Sequence, residues 1–324
     1  MFILSSCEAT ERLFKLLGWE LKDSAEDLKP PSDVFCPLGV KLDFSEVGFV
    51  TIANTDARLT KINEELVRLV SLPSCTAADI HHIVGVCQFA EAQSSGRTGA
   101  SVLNSVRSAQ RQSGPQKVEK LRASLVGLAE YFAATKPRVI RTSNPLPPVL
   151  LWTDAAAETS VTSFGAVLFD PVSNRLEFFG AVFRKEAVDT WKLDRITQII
   201  TQAELVAIPI AFESWRDILQ DRDIIAFIDN DPAKDSLVRG SSPSAVSAAF
   251  ARTTRLLAAE LALAPWYARV ASPSNIADAP ARGDFCALLA AGALEVDIKL
   301  PASASQSSLI FLVHLCGNVF VRTW

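Results

Sequence analysis

The spacing of apolar residues changes character near residue 147 and divides the chain. Before that point the pattern is mainly helical. Residues 8–19 place Leu13, Leu16 and Leu17 at helical spacing and stop at Gly18, which predicts an amphipathic helix. Pro30 and Pro31 mark a loop ahead of two strands, Phe35 to Phe44 and Gly48 to Ala53. Asn54 or Thr55 is placed to cap a helix whose Leu59, Ile62, Leu66 and Leu69 form one stripe. Thr76 and Asp79 have capping-box spacing for a second helix, with Ile80, Ile83, Val84 and Cys87 turned inward. Ser- and Gly-rich stretches at 94–101 and 112–115 predict loops. A helix over Val118 to Thr135 follows, and Pro137, Pro145, Pro147 and Pro148 predict a linker over 136–146.

Beyond the prolines the period shortens. Val149–Asp154, Phe164–Asp170 and Arg175–Phe183 read as three strands, with Pro171–Asn174 the clearest turn. A helix over Thr197–Leu219, a strand Ile224–Ile228, a helix Ser244–Leu263, a strand Trp266–Val270 and a final helix Asp278–Ala291 complete the series. Pro209 predicts a kink in the first of these helices, because it removes a backbone bond and crowds the carbonyl of Leu205. Three strands, then helix, strand, helix, strand and helix predict an α/β unit: a mixed five-stranded sheet with flanking helices. The preceding region is mostly helical with a small β-hairpin.

Composition narrows the picture. With 49% hydrophobic and 21% charged residues among 324, the chain is globular and long enough for about two domains. The net charge of −4 gives no hint of a polyanionic partner, but its distribution does. Arg97 to Arg141 holds nine Lys/Arg against two Glu, a local +7, whereas Arg141 to Leu300 holds fifteen basic and twenty acidic residues, a local −5. A basic strip containing Arg97, Arg107, Arg111, Lys117, Lys120 and Arg122 suits a nucleic-acid backbone, and on charge alone it suits a solvated helix face equally. The six cysteines, 7, 36, 75, 87, 286 and 316, form no C-x-x-C pair, which argues against a zinc site and fits a reducing, intracellular setting. Early charges at Glu8, Glu11 and Arg12 argue against a signal peptide, and no apolar run reaches membrane-spanning length.

Four acidic residues stand at chemically telling places. Asp154 ends an apolar strand, Glu204 lies in a helix, Asp229 ends the strand Ile224–Ile228, and Asp278 opens the final helix. Singly, each has a bland reading as a turn former, a solvent-facing helix residue or a cap. Together, a carboxylate cage makes sense as a holder of Mg²⁺, because uncompensated carboxylates repel one another. Two such ions about 4 Å apart stabilise both the entering and the leaving oxygen in phosphodiester hydrolysis.

The region 147–290 resembles the ribonuclease H domain of retroelement reverse transcriptases, in particular those of DIRS-like retrotransposons. The resemblance is carried by Trp152-Thr153-Asp154-Ala155, Phe164 to Leu168, Gln202-Ala203-Glu204-Leu205, Ile228-Asp229-Asn230 with Leu237 to Gly240, and Asn275 to Asp278 with Pro280 and Arg282. It implies that Asp154, Glu204, Asp229 and Asp278 are catalytic ligands of two Mg²⁺ ions, with Mn²⁺ as a substitute. It also implies that Asn230 and Asn275 flank the site or touch the nucleic-acid backbone. Residues 271–277 lack the histidine often found there in this family, which implies slow product release or proton shuttling.

The segments Leu16 to Trp19 and Pro37 to Phe44 resemble the end of a polymerase palm. Asn54-Thr55 with Arg58, Gly85 with Phe89 to Ala92, and Gly96-Arg97 with Gly99 resemble a thumb. The resemblance divides the chain into a palm-end remnant (1–46), a thumb- or connection-like region (47–135), the linker, the ribonuclease H-like domain (147–290) and an unassigned tail (291–324). It implies an RNA·DNA hybrid, or another nucleic acid, as partner. No paired-aspartate hairpin precedes residues 8–19, so no autonomous polymerase activity is expected; an upstream palm would have to come from elsewhere, and the sequence reads as a truncated retroelement copy. The alternative is a non-catalytic nucleic-acid-binding relic. A proofreading-type exonuclease fits less well, because Ala155 and Ala156 follow Asp154 where those enzymes carry a second acid.

Overall fold

The computed structural model describes residues 12–13, 16, 32–94, 99–110, 116–142, 145–158, 161–192 and 199–301. The expected helix over 8–19 and the tail beyond 301 therefore lie largely outside the described residues. Two large hydrophobic cores and one small one organise the rest.

The first half opens with strands β1 (Val34–Phe35), β2 (Val40–Asp43) and β3 (Phe49–Asn54). Helices α1 (Asp56–Ser71), α2 (Ala77–Glu91), α3 (Ala100–Gln110) and α4 (Val118–Ala134) follow. A two-residue strand pair, β4 (Ser74–Cys75) and β5 (Gln116–Lys117), ties the start of α2 to the start of α4. The stripes set helix packing: Ile62, Leu66 and Leu69 of α1 meet Ile80, Ile83 and Cys87 of α2 and Leu121, Leu125 and Leu128 of α4 in one core. The Thr76–Asp79 capping box forms as the spacing requires, and Arg68 adds a 2.8 Å bond to the Asp79 carboxylate. Thr55 stands at the start of α1 without a side-chain capping bond, and the Asn54 amide donates to the Ala90 carbonyl instead. The expected linker is partly a strand: β6 (Arg138–Arg141) pairs antiparallel with β3 and completes a four-stranded sheet, so Pro137 starts a strand at a sheet edge.

The second half carries β7 (Val149–Ala157), β8 (Thr162–Asp170) and β9 (Arg175–Val182), a continuous antiparallel meander. Helices α5 (Lys185–Trp191), α6 (Ile200–Ser214) and α7 (Arg216–Leu219) come next, then β10 (Asp223–Ile228) and α8 (Asp231–Arg239). The chain continues through α9 (Ala245–Glu260), β11 (Ala264–Arg269), α10 (Asp278–Ala281), α11 (Cys286–Ala290) and β12 (Leu294–Glu295). The sheet order is β11-β10-β7-β8-β9-β12, with β10 parallel to β7 and to β11. This is a mixed sheet with flanking helices, in the element order that the sequence pattern predicts. Three expectations change. Five strands become six, because β12 from the supposed tail pairs with β9. The final helix breaks into two short ones at Gly283, whose φ of 77° suits the left-handed region. And α6 runs through Pro209 as one helix.

Helix α6 is the keystone of this half. Leu205 to Phe212 is apolar on every side except for Pro209, and residues 202–214 are all buried between the sheet and helices α8 and α9. At the far end of the sheet, Asp170 fixes the β8–β9 turn by accepting from the Val172 and Ser173 amides. Arg222 reaches it from the entry to β10 at 2.9 Å and also donates to the Pro147 carbonyl, locking the starts of β7 and β10 together. No helix among the described residues is long and apolar enough to cross a membrane.

The Arg222–Asp170 pair yields a stability prediction, because its side chains are only 10% and 6% exposed. Arg222→Met removes the counter-charge and leaves the buried carboxylate with only its turn hydrogen bonds, so it should cost about 3 kcal/mol in urea unfolding. A loss below about 1 kcal/mol would show that water reaches Asp170 freely.

Candidate metal centre

The site is assembled from the interior of β7, which runs three residues past Asp154 where the sequence predicted its end, from the end of β10 and from one buried helix. Asp154 lies in β7, opposite Gly165 of β8, which in turn faces Gly180 of β9. Asp229 follows the last residue of β10, in a sharp passage to α8 where Asn230 caps the helix by accepting from the Ala233 amide at 2.9 Å. Trp152 and Phe227 stack at 4.9 Å across β7 and β10, which stiffens both strands two residues before their acids. Glu204 projects from α6, and its Oε1 accepts from the Ala155 amide at 3.3 Å.

One oxygen from each of Asp154, Glu204 and Asp229 falls within 4.8 Å of the others. Asp154 and Glu204 are 4% and 2% exposed. Burial, then the neighbouring charges of Asp229 and Asp278, push the Asp154 carboxyl up to about 8. Burial and the charges of Asp154 and Asp229 raise Glu204 well above the ordinary carboxylate range. The Oε2 atom of Glu204 is buried without a hydrogen-bond partner. A buried, unpartnered carboxylate oxygen beside two further carboxylates is unfavourable unless a cation completes it. The donor set is all hard oxygen, which fits Mg²⁺ or Mn²⁺. On these grounds the residues fit a divalent ion.

Asp278 reaches the group from the other side of the sheet edge. It starts α10, stands near enough for its charge to raise the Asp154 carboxyl, and accepts from Arg282 Nε at 2.9 Å. Its approach depends on the two facing glycines. A Cβ on Gly165 would stand 2.4 Å from the Ala281 nitrogen, and one on Gly180 would stand 2.3 Å from the Pro280 oxygen. Those contacts are with backbone, so any side chain at these positions lifts α10 off the sheet.

The structure therefore brings Asp154, Glu204 and Asp229 into one group, with Asp278 outside it but near enough for its charge to act on Asp154. Of the two roles the resemblance implies for Asn275, the structure fits flanking the site: the residue is 5% exposed. Its amide donates to the Thr153 carbonyl at 3.0 Å and to Asp154 Oδ1 at 3.2 Å, so it orients Asp154 from within and does not face a nucleic-acid backbone. Asn230 spends its carbonyl oxygen on capping α8. Within the basic strip, Lys117, Lys120 and Arg122 are exposed. Arg107 is engaged with Asn104 and Gln88, and Arg97 and Arg111 lie outside the described residues. Glutamate 204 on a helix suggests solvent exposure, yet the all-round apolar sequence of Leu205 to Phe212 signals that its helix is buried. The paired glycines were missed because their partner strand register is invisible to spacing.

No family model matches this sequence, and no curated protein matches it. Among solved structures, ribonuclease H1 from the halophilic archaeon Halobacterium salinarum NRC-1 is similar at 22% identity, covering 42% of this chain and 96% of that one with a TM-score of 0.32. The N-terminal ribonuclease H domain of a Mycobacterium tuberculosis protein, studied as a fusion with maltose-binding protein, is similar at 14% identity, covering 45% of this chain and 99% of that one with a TM-score of 0.34.

Two outcomes follow from this geometry. Gly165→Ala should destabilise the protein by about 2 kcal/mol, as overpacking does, and should reduce the melting shift produced by Mg²⁺. Gly85→Ala is the control: its Cβ meets nothing within 4 Å and the site is helical, so about 0.5–1 kcal/mol of stabilisation is expected. Equal effects of the two substitutions would contradict the close-approach argument. The second outcome concerns pH. Because the folded-state Asp154 carboxyl sits at about 8, above its unfolded value, its favourable contribution is complete below pH 4 and is lost as pH rises towards 8. Thermal melts of chelated protein should therefore fall over pH 4–8, and Asp154→Asn should flatten that fall.

Proposed function

We propose that residues 147–290 act as a divalent-metal-dependent ribonuclease H that hydrolyses the RNA strand of RNA·DNA hybrids. The observation that carries this reading is the convergence of Asp154, Glu204 and Asp229 within 4.8 Å, with the charge of Asp278 acting on Asp154, on a mixed sheet of ribonuclease H-like strand order. Asp154, Glu204 and Asp229 would hold one cation, and Asp278 with Asp154 would contribute to a second. Such ions supply Lewis-acid stabilisation of phosphate charge and an activated water at neutral pH. The chain's own contribution is positional. Asn275 and the Thr153 carbonyl fix Asp154, the Ala155 amide fixes one Glu204 oxygen, and the rigid end of β10 fixes Asp229. Fixed ligands matter because in-line displacement tolerates little misplacement.

We further read the protein as the C-terminal part of a retroelement reverse transcriptase of DIRS-like type. On this reading 1–46 is a palm-end remnant, 47–135 a thumb-like helical region and 136–146 the passage to the nuclease. Support comes from the sequence motifs named above and from the sheet-plus-helices architecture of residues 34–141. The exposed Lys117, Lys120 and Arg122 would then track a nucleic-acid backbone through its phosphates. An intracellular setting accompanies this reading.

The test is cleavage of a hybrid labelled separately on its RNA and DNA strands, with and without Mg²⁺. Wild type should cut the RNA strand only when Mg²⁺ is present. Asp229→Asn preserves shape and removes charge, so it should fold and lose at least about 100-fold in cleavage rate. Equal cleavage by wild type and variant would sink the assignment of the site. No cleavage by either, with melts indifferent to Mg²⁺, would establish the non-catalytic relic.

A further inference from the structure

The four acids are not equivalent. One oxygen from each of Asp154, Glu204 and Asp229 shares a single small volume, and Asp278 is not part of that group. Asp278 is instead committed to Arg282, one helical turn later, through the 2.9 Å bond from Nε to Oδ1. The same guanidinium reaches Glu158 Oε1 at 3.7 Å through Nη1, just past the end of the strand that carries Asp154. Arg282 is 52% exposed and Asp278 47%, so this pair sits at the mouth of the site while Asp154 and Glu204 sit within it. The buried, unpartnered Oε2 of Glu204 marks the inner position as the one awaiting a ligand.

A guanidinium and a divalent cation compete for the same carboxylate, and they also repel each other. An exposed arginine can leave at little cost, because surface ion pairs are weak and its side chain remains tethered. Glu158 offers it a resting place on the far side.

We propose that Arg282 is a tethered counter-ion that holds Asp278 until a cation displaces it, so that the site fills in two unequal steps. The first cation enters the Asp154–Glu204–Asp229 group without disturbing Arg282. The second requires Asp278 and therefore requires Arg282 to move to Glu158. Arg282 is thus a positioning residue that sets the cation concentration at which the site becomes complete. This inference rests on reading the acids as a metal centre.

Calorimetric titration of Mn²⁺ into the full chain tests it. Wild type should show a tighter and a weaker step. Arg282→Gln should tighten the weaker step by about tenfold, the scale of one unit charge near a divalent ion, and leave the tighter step within about threefold. Arg282→Lys keeps the charge and should restore the wild-type isotherm. Glu158→Gln removes the resting place and should weaken the second step. Chelated melts of all variants should match wild type, since the pair is exposed. An unchanged or weakened second step in Arg282→Gln overturns the proposal, as does a single step in both proteins. A lowered chelated melt with both steps impaired identifies a packing role and overturns it too. Absence of any Mn²⁺ binding in wild type overturns the metal-centre reading itself, and this inference with it.

Discussion

Mutual repulsion among carboxylates held out of water is the constraint on which the second half of the molecule is built. Asp154 and Glu204 lie in contact with the apolar core, with Asp229 beside them. Left to relax, they would separate or draw in water. They cannot, because each is anchored by something that does not yield: a central strand, a helix embedded on all sides, and a strand end stiffened by the Trp152–Phe227 stack. Stability gained by burying the α6 side chains offsets the strain at the acids. The arrangement stores unfavourable electrostatics that a bound cation relieves, which is how a binding site acquires affinity before its ligand arrives.

The glycine pair is the complementary device on the other face. A sheet normally presents side chains that keep a packed helix about 10 Å from its backbone. By omitting side chains at Gly165 and Gly180, the sheet lets α10 rest against bare peptide, and the acid that opens α10 arrives beside the acid of β7. Asn275, three residues before Asp278, binds Asp154 and the Thr153 carbonyl, so the same segment both contributes a ligand and holds another. Helix, loop and strand form one mechanical unit at the point where chemistry is expected.

Much of this was legible in the sequence. The meander, the central parallel strand and the order of the four acids follow from apolar periodicity and from where each acid interrupts it. The Thr76–Asp79 box and the Pro171–Asn174 turn follow from local rules, and both formed because nothing tertiary competes with them. The failures are long-range. β6 is too short and too charged to declare itself, and it exists because β3 offers an open edge. Pro209 does not end its helix, which runs on to Ser214 within the packed core. Helix α8 carried clear signals, an Asn230 cap, Pro232 in the first turn and Gly240 with φ of 66° after the last, but its nine residues are half polar and its stripe is short. The resemblance left Asn275 either flanking the site or touching nucleic acid, and only the fold reveals the Thr153 carbonyl that its amide meets.

The two-residue strand β12 carries a consequence for solubility. It lies along the outer edge of β9, where the Val296 amide bonds to the Phe178 carbonyl and the Lys299 amide to the Ser214 hydroxyl. Ala293 is buried beside Phe178, and Val296 and Ile298 lean on the main core. An open β-edge with unpaired peptide groups recruits strands from neighbouring molecules. Residues 293–299 thus serve as a guard rail against edge-to-edge self-association. A domain cut at Ala290, where the last helix ends, would expose both the edge and the apolar surface beneath it.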